Sequence, residues 1–106
     1  MVIVSAWKND SGTGQSAYGL RIPLAQRQRY FSRRWSRVRI ELPDGHGVAT
    51  ADIRASFWRS CPELRSAEIG KWLRASGVSV WAPGRPPRYV LRRIGEATFR
   101  VARRMR

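Results

Sequence analysis

Alternation of apolar and polar positions is the strongest local signal in the chain. Across residues 37–42, Val38, Ile40 and Leu42 face one way while Arg37, Arg39 and Glu41 face the other, the period-two pattern of a half-buried strand. Pro43-Asp44-Gly45 is a turn signal. Residues 47–57 then read as a return strand with Ala49, Ala51, Ile53, Ala55 and Phe57 on one face, completing the best-defined hairpin of the sequence. Residues 2–7 are rich in β-branched side chains and read as a first strand, and residues 18–22 as a short second one. The polar, glycine-containing stretch 8–17 between them reads as a loop or long hairpin tip. Pro23 suits the first position of a short helix, 23–31, because its missing N–H costs nothing there. Leu24, Phe31 and Trp35, spaced by seven and four, are expected on one helical face.

A second helix is expected to follow a capping box at Ser60 and Glu63 and to end at Gly77. Its apolar stripe would comprise Cys61, Leu64, Ile69, Trp72, Leu73 and Ala75. Arg65 and Glu68 fall inside that stripe, as a half-buried ion pair or, with the helix slightly rotated, as two solvated side chains. Residues 82–87 form a proline-rich loop, and residues 88–94 and 97–102 read as two strands joined by a Gly95-Glu96 turn. Trp7, Phe31, Phe57, Trp72 and Phe99 are assigned to the core; Trp58 and Trp81, beside loops, are assigned to the surface. The result is one α+β domain over residues 1–102, a mostly antiparallel set of strands with two short helices. The basic residues 103–106 form a frayed tail.

Charge changes the picture most. The 106 residues hold 21 Lys+Arg against 7 Asp+Glu, a net charge of +14, and 19 of the basic residues are arginine. A guanidinium binds phosphate through a planar fork and meets a guanine edge the same way, so a polyanion is the first partner to consider. A GC-rich coding sequence would explain Arg over Lys, but explains the excess of positive charge much less well. With 42% hydrophobic residues and five Trp the chain should fold rather than form a basic tail. The opening residues do not have the pattern of a signal peptide, and no apolar stretch nears the ~20 residues that span a bilayer. Cys61 is the lone cysteine, which excludes an intrachain disulfide and a cysteine-based zinc site. A cytoplasmic location is the default expectation.

Catalytic constellations are sparse. His46 is the single histidine and sits in a turn; with Asp44 and Asp52 it makes a poor metal set, and a solvated surface role fits it better. No acid precedes Lys8 or Lys71 by two residues, as a metal-dependent nuclease core would ask. Cys61 at a helix start could acquire a lowered pKa, but with one histidine in a distant turn it reads as a small packed residue. Gly12-x-Gly14 lacks the spacing and following Lys-Ser/Thr of a phosphate loop. No catalytic residue, metal or cofactor is therefore assigned. Binding signals are richer: Arg27, Arg29, Arg33, Arg34, Arg37 and Arg39 crowd the first helix and the strand after it. Arg85, Arg88, Arg92, Arg93 and Arg100 crowd the last third. Aromatics alternate with arginine at Tyr30, Trp35, Trp58 and Tyr89, a pattern that in single-strand binders stacks on bases.

The stretch Gly19-Leu20-Arg21-Ile22-Pro23, a helix to Tyr30-Phe31, then Val38-Arg39-Ile40-Glu41-Leu42-Pro43-Asp44-Gly45 resembles the plant B3 DNA-binding domain. Phe57-Trp58-Arg59-Ser60 and the run from Gly70 through Trp72 to Val78 continue the likeness. After the second helix the chain departs from that pattern, with Trp81-Ala82-Pro83-Gly84-Arg85-Pro86-Pro87 in place of a Gly-Asp turn. The resemblance implies a seven-stranded open pseudobarrel flanked by two helices, a fold also used by the DNA-recognition modules of some bacterial restriction enzymes. It further implies two arms gripping the major groove of duplex DNA. Lys8, Asn9, Ser11, Thr13 and Gln15 would lie on the first, and Arg54, Ser56, Trp58 and Arg59 on the second. Arg21, Arg27, Arg29, Arg33 and Arg34 would contact phosphates around the first helix. The expectation is a non-catalytic binder of nucleic acid, double-stranded DNA first, with no membrane partner. RNA binding or ribosome association, a histidine-independent toxin-like ribonuclease, and a basic module docking an acidic protein are the alternatives.

Overall fold

The computed structural model describes residues 1–10, 16–78 and 80–105. Seven strands form one sheet: β1 (Val2–Asp10), β2 (Ser16–Arg21), β3 (Arg37–Glu41), β4 (Val48–Asp52), β5 (Glu63–Arg65), β6 (Arg88–Gly95) and β7 (Thr98–Arg104). Their order is β4-β3-β7-β6-β1-β2-β5, and the end strands β4 and β5 approach one another, so the sheet curls into a nearly closed barrel. Neighbours are antiparallel except β3 and β7, which run parallel with Ile40 opposite Phe99. Among the described residues three helices, not two, flank the barrel: α1 (Leu24–Tyr30), α2 (Ala55–Arg59) and α3 (Ala67–Ala75).

Period-two patterning builds the interior. Val2, Val4 and Ala6 of β1, Val38 and Ile40 of β3, and Ala49 and Ala51 of β4 all point inward and are buried. They meet Leu20, Leu64, Leu91, Phe99 and the α3 residues Ile69, Trp72 and Leu73. The same parity turns Trp7 outward, so it is half exposed rather than in the core; Phe31, Phe57, Trp72 and Phe99 are buried as expected. Phe31 stacks on Phe99 at 5.0 Å and tilts against Phe57 at 5.3 Å. Trp35, Trp58 and Trp81 pack half-buried against the core's edge.

Several boundaries differ from the sequence expectations, each because a tertiary contact outweighs a local signal. The first strand runs on to Asp10, so Lys8 and Asn9 sit in β1 opposite Tyr18 and Ala17 instead of in a loop. The β4 strand stops at Asp52, and α2 follows, because Phe57 reaches the core equally well from a helical turn. Ser60 and Glu63 do not cap a helix. The edge of β2 takes this segment as a strand, with the Ile22 N–H donating to the Pro62 carbonyl (2.8 Å) and Leu20 opposite Leu64. The helix begins instead at Ser66, whose hydroxyl accepts from the N–H groups of Glu68 and Ile69. It ends as expected before Gly77, at a φ of +73°.

Cys61 consequently lies in the turn after α2 and not at a helix start, while Arg65 and Glu68 are both exposed. None of the α1 residues is buried, and Leu24 is open to solvent; Phe31, just past the helix, anchors it. The last hairpin turns at Glu96-Ala97, one residue later than expected, with Gly95 paired to Thr98. Arg103 and Arg104 are no tail, since they lie in β7 and pair with Val90 and Tyr89 of β6.

Candidate nucleic-acid interface

Pro23 starts α1 by presenting its carbonyl to the N–H groups of Gln26 and Arg27 (2.9 and 3.1 Å). Beyond the helix, the Ser32 hydroxyl accepts from the Arg34 N–H (3.1 Å) and its carbonyl from the Trp35 N–H (3.1 Å). That tight turn leaves Arg33 and Arg34 exposed. The α2 helix docks alongside. Arg27 Nη1 donates to the Phe57 carbonyl (2.7 Å), an orphan acceptor of this short helix. The Arg27 and Arg33 guanidiniums lie over the Trp58 ring at 5.6 and 4.5 Å from its centroid. Arg27 Nε is buried without a partner, so this arginine is committed to joining α1 and α2.

The carboxylates divide the arginines into two classes. Arg21 and Arg65 pair with Glu63, Arg37 with Asp52, Arg93 with Glu96, and Arg100 with Glu41. All of these arginines belong to strands, while the strand residues Arg39, Arg88, Arg92, Arg103 and Arg104 have no carboxylate within 4.0 Å among the described residues. Among the described residues, no carboxylate lies within 4.0 Å of Arg27, Arg29, Arg33, Arg34, Arg54 or Arg59, which sit on or beside α1 and α2. The elements α1 and α2 and the residues beside them thus carry six arginines without a carboxylate partner, two of them over the half-buried Trp58.

The residues singled out from the sequence fall into three groups. Arg27, Arg33 and Trp58 are brought together where α1 meets α2; Arg29 and Arg34 lie on or just after α1, and Arg54, Ser56 and Arg59 on or beside α2. Lys8 and Asn9 lie on β1, where the Lys8 ammonium sits 5.2 Å over Trp81, and Arg21 is held by Glu63 (3.4 Å). Ser11, Thr13 and Gln15 lie outside the described residues. The C-terminal arginines do not form one cluster. Arg93 stacks on Trp35 (5.0 Å) and pairs with Glu96, whereas Arg85 and Arg88 border a separate open groove beside Trp81 and Pro86.

Sequence reasoning missed a cleft of about 260 Å³ where β4 and β5 face each other without pairing. Thr50 and Asp52 line it from β4, Arg54 and Phe57 from the α2 segment, and Glu63 and Arg65 from β5. Arg65 also stacks over Trp7 at 4.5 Å, across Gly19, which has no side chain to intervene. Nothing local marked residues 63–65 as a strand, since Ser60 and Glu63 have the spacing of a capping box. Among the described residues no three His, Cys, Asp or Glu side chains are placed to hold a metal ion, and no helix is long and apolar enough to cross a membrane. Comparison with protein-family models, curated proteins and solved structures finds no match to the chain.

Proposed function

We propose that the protein is a non-catalytic nucleic-acid-binding protein that seats the backbone of duplex DNA on its α1–α2 surface. The observation that carries this reading is the set of arginines on and beside α1 and α2: among the described residues, none of Arg29, Arg33, Arg34, Arg54 and Arg59 has a carboxylate within 4.0 Å. Arg27 and Arg33 hold Trp58 between the helices and set the spacing of that surface. Arg54, Ser56 and Arg59 are suited to base edges, since an arginine fork matches guanine and a serine hydroxyl serves any base. The seven-stranded, nearly closed barrel is compatible with the B3-type resemblance, under which this segment would be the second DNA-gripping arm.

Phosphate contacts make affinity fall with salt, at a log–log slope of about 0.9 per contact on B-DNA. Anisotropy titrations with duplex DNA, single-stranded DNA and RNA of one sequence, each over a salt series, test the proposal. Duplex should bind tightest, and the triple variant Arg29→Gln, Arg33→Gln, Arg34→Gln should flatten its slope by roughly 2–3. Tighter binding to RNA, cleavage of RNA, or an unchanged slope in the variant would each overturn it.

A further inference from the structure

Glu63 is the one charged side chain buried among the described residues, with 3% of the side chain exposed. Glu41, Asp44, Asp52, Glu68 and Glu96 all reach solvent. Burying a carboxylate is expensive unless short, well-aligned donors surround it. Its partners are neither: Arg21 Nε stands 3.4 Å from one oxygen and Arg65 Nη2 3.6 Å from the other. Charge-assisted bonds run about 2.7–2.9 Å. A carboxylate offers about four acceptor sites, so both oxygens keep acceptor capacity. Glu63 lines the cleft at the β4–β5 seam, and Arg54, at the cleft's other wall, belongs to the surface proposed above to hold phosphates.

We infer that this cleft receives one unstacked guanine base, whose N1–H and N2–H donate to the two oxygens of Glu63. The assignment follows from donor geometry and rests on the nucleic-acid reading. Guanine alone presents two adjacent N–H donors on its pairing edge. Adenine and cytosine set a ring-nitrogen acceptor beside their amino group, and thymine and uracil flank one N–H with carbonyls; each would aim a lone pair at the carboxylate. A pairing edge is accessible only when the base has left the stack, as in base-flipping proteins that read this edge in a pocket. The cleft's 260 Å³ falls just below the ~300–1,000 Å³ of pockets for drug-sized ligands, a scale for a single ring system. Arg54 at the wall is placed to hold the phosphate of the extruded nucleotide.

The test measures wild-type affinity for duplexes carrying a single bulged base at moderate salt. Bulged G should bind about tenfold tighter than bulged A, C or T, the discrimination of a bidentate pair. Inosine, which lacks the 2-amino group, and 2-aminopurine, which has an acceptor at N1, should both lose most of that advantage. This ligand series uses the unaltered protein, so folding of a variant is not at issue. Glu63→Gln, which replaces one acceptor with a donor, should abolish the preference while leaving the salt slope on fully paired duplex intact. Equal affinity for all bulged bases, with salt-dependent duplex binding retained, would sink the guanine pocket alone; absence of any duplex binding would sink it together with the reading it rests on.

Discussion

Gly19 shows how one position can hold the barrel and its cleft together. A Cβ there would lie 2.4 Å from the Leu64 carbonyl oxygen, a backbone atom that can yield only if β2 and β5 separate. That pairing is what carries Glu63 and Arg65 to the seam. Gly19→Ala should therefore destabilise the fold by about 1–3 kcal/mol, the usual cost of forced overpacking. At roughly 4–8 °C per kcal/mol for a domain near this size, a thermal melt followed by circular dichroism resolves it. An unchanged melting temperature would mean that β2 and β5 do not pair as described. Trp7 teaches a complementary lesson at the same scale. Its outward direction was legible from the parity of Val2, Val4 and Ala6, but the general tendency of tryptophan to be buried masked it. Glu63 was illegible for another reason: a glutamate three residues after a serine looks like a cap, and no local pattern announces that β2 will claim it as a strand.

Elements whose side-chain period and turn chemistry agree were readable: the β3–β4 hairpin, α1, the two C-terminal strands and the Gly77 stop of α3. Those that failed were short segments where two periods fit the same residues. Ala55 and Phe57 satisfy a strand face as well as a five-residue helix, and only the burial of Phe57 against Phe31 decides. The start of α3 is a similar case, and its true cap can be tested. The Ser66 hydroxyl accepts from the Glu68 and Ile69 N–H groups and donates to Glu68 Oε2 (2.9 Å). That donation, aided by the Glu68 N–H and by Lys71, holds the Glu68 carboxyl below its ordinary 4.5. A folded-state pKa below the unfolded value stabilises above the unfolded pKa and loses that contribution as pH falls through the folded one. Ser66→Ala should cost about 1 kcal/mol at pH 7. The cost should shrink in urea titrations as the pH is taken progressively below 4.5 and Glu68 loses its charge. A Ser66→Ala penalty that grew on acidification would contradict this cap, and an equal loss for Ser60→Ala would return the helix start to the position the sequence pattern suggested.

For the whole molecule, net charge sets stability against binding. A charge of +14 on 106 residues repels itself, and among the described residues five ion pairs, each with a strand arginine, relieve that repulsion. The α1–α2 surface was half legible as an arginine run; the other half, that the ion pairs of Asp52 and Glu63 go to Arg37, Arg21 and Arg65 and not to Arg54, is set by strand pairing. If that surface is kept charged for a polyanion, its arginines should cost stability in the free protein, as binding sites often do. Arg34→Gln and Arg59→Gln should each raise stability by a few tenths of a kcal/mol at low salt while weakening duplex affinity. Arg100→Gln strands Glu41, with which it shares a 2.9 Å contact between two partly exposed groups. It should lower stability by at most about 1 kcal/mol and leave affinity unchanged. Near 1 M salt the screening length falls to about 3 Å and most of these differences should vanish. Wild-type melting temperature should rise with salt over the same range in which affinity drops. Paired melts and anisotropy titrations read both quantities from each variant. If Arg34→Gln and Arg59→Gln destabilised the fold as Arg100→Gln does, the unneutralised surface would be structural, and the division of the arginines by their carboxylate partners would carry no functional meaning.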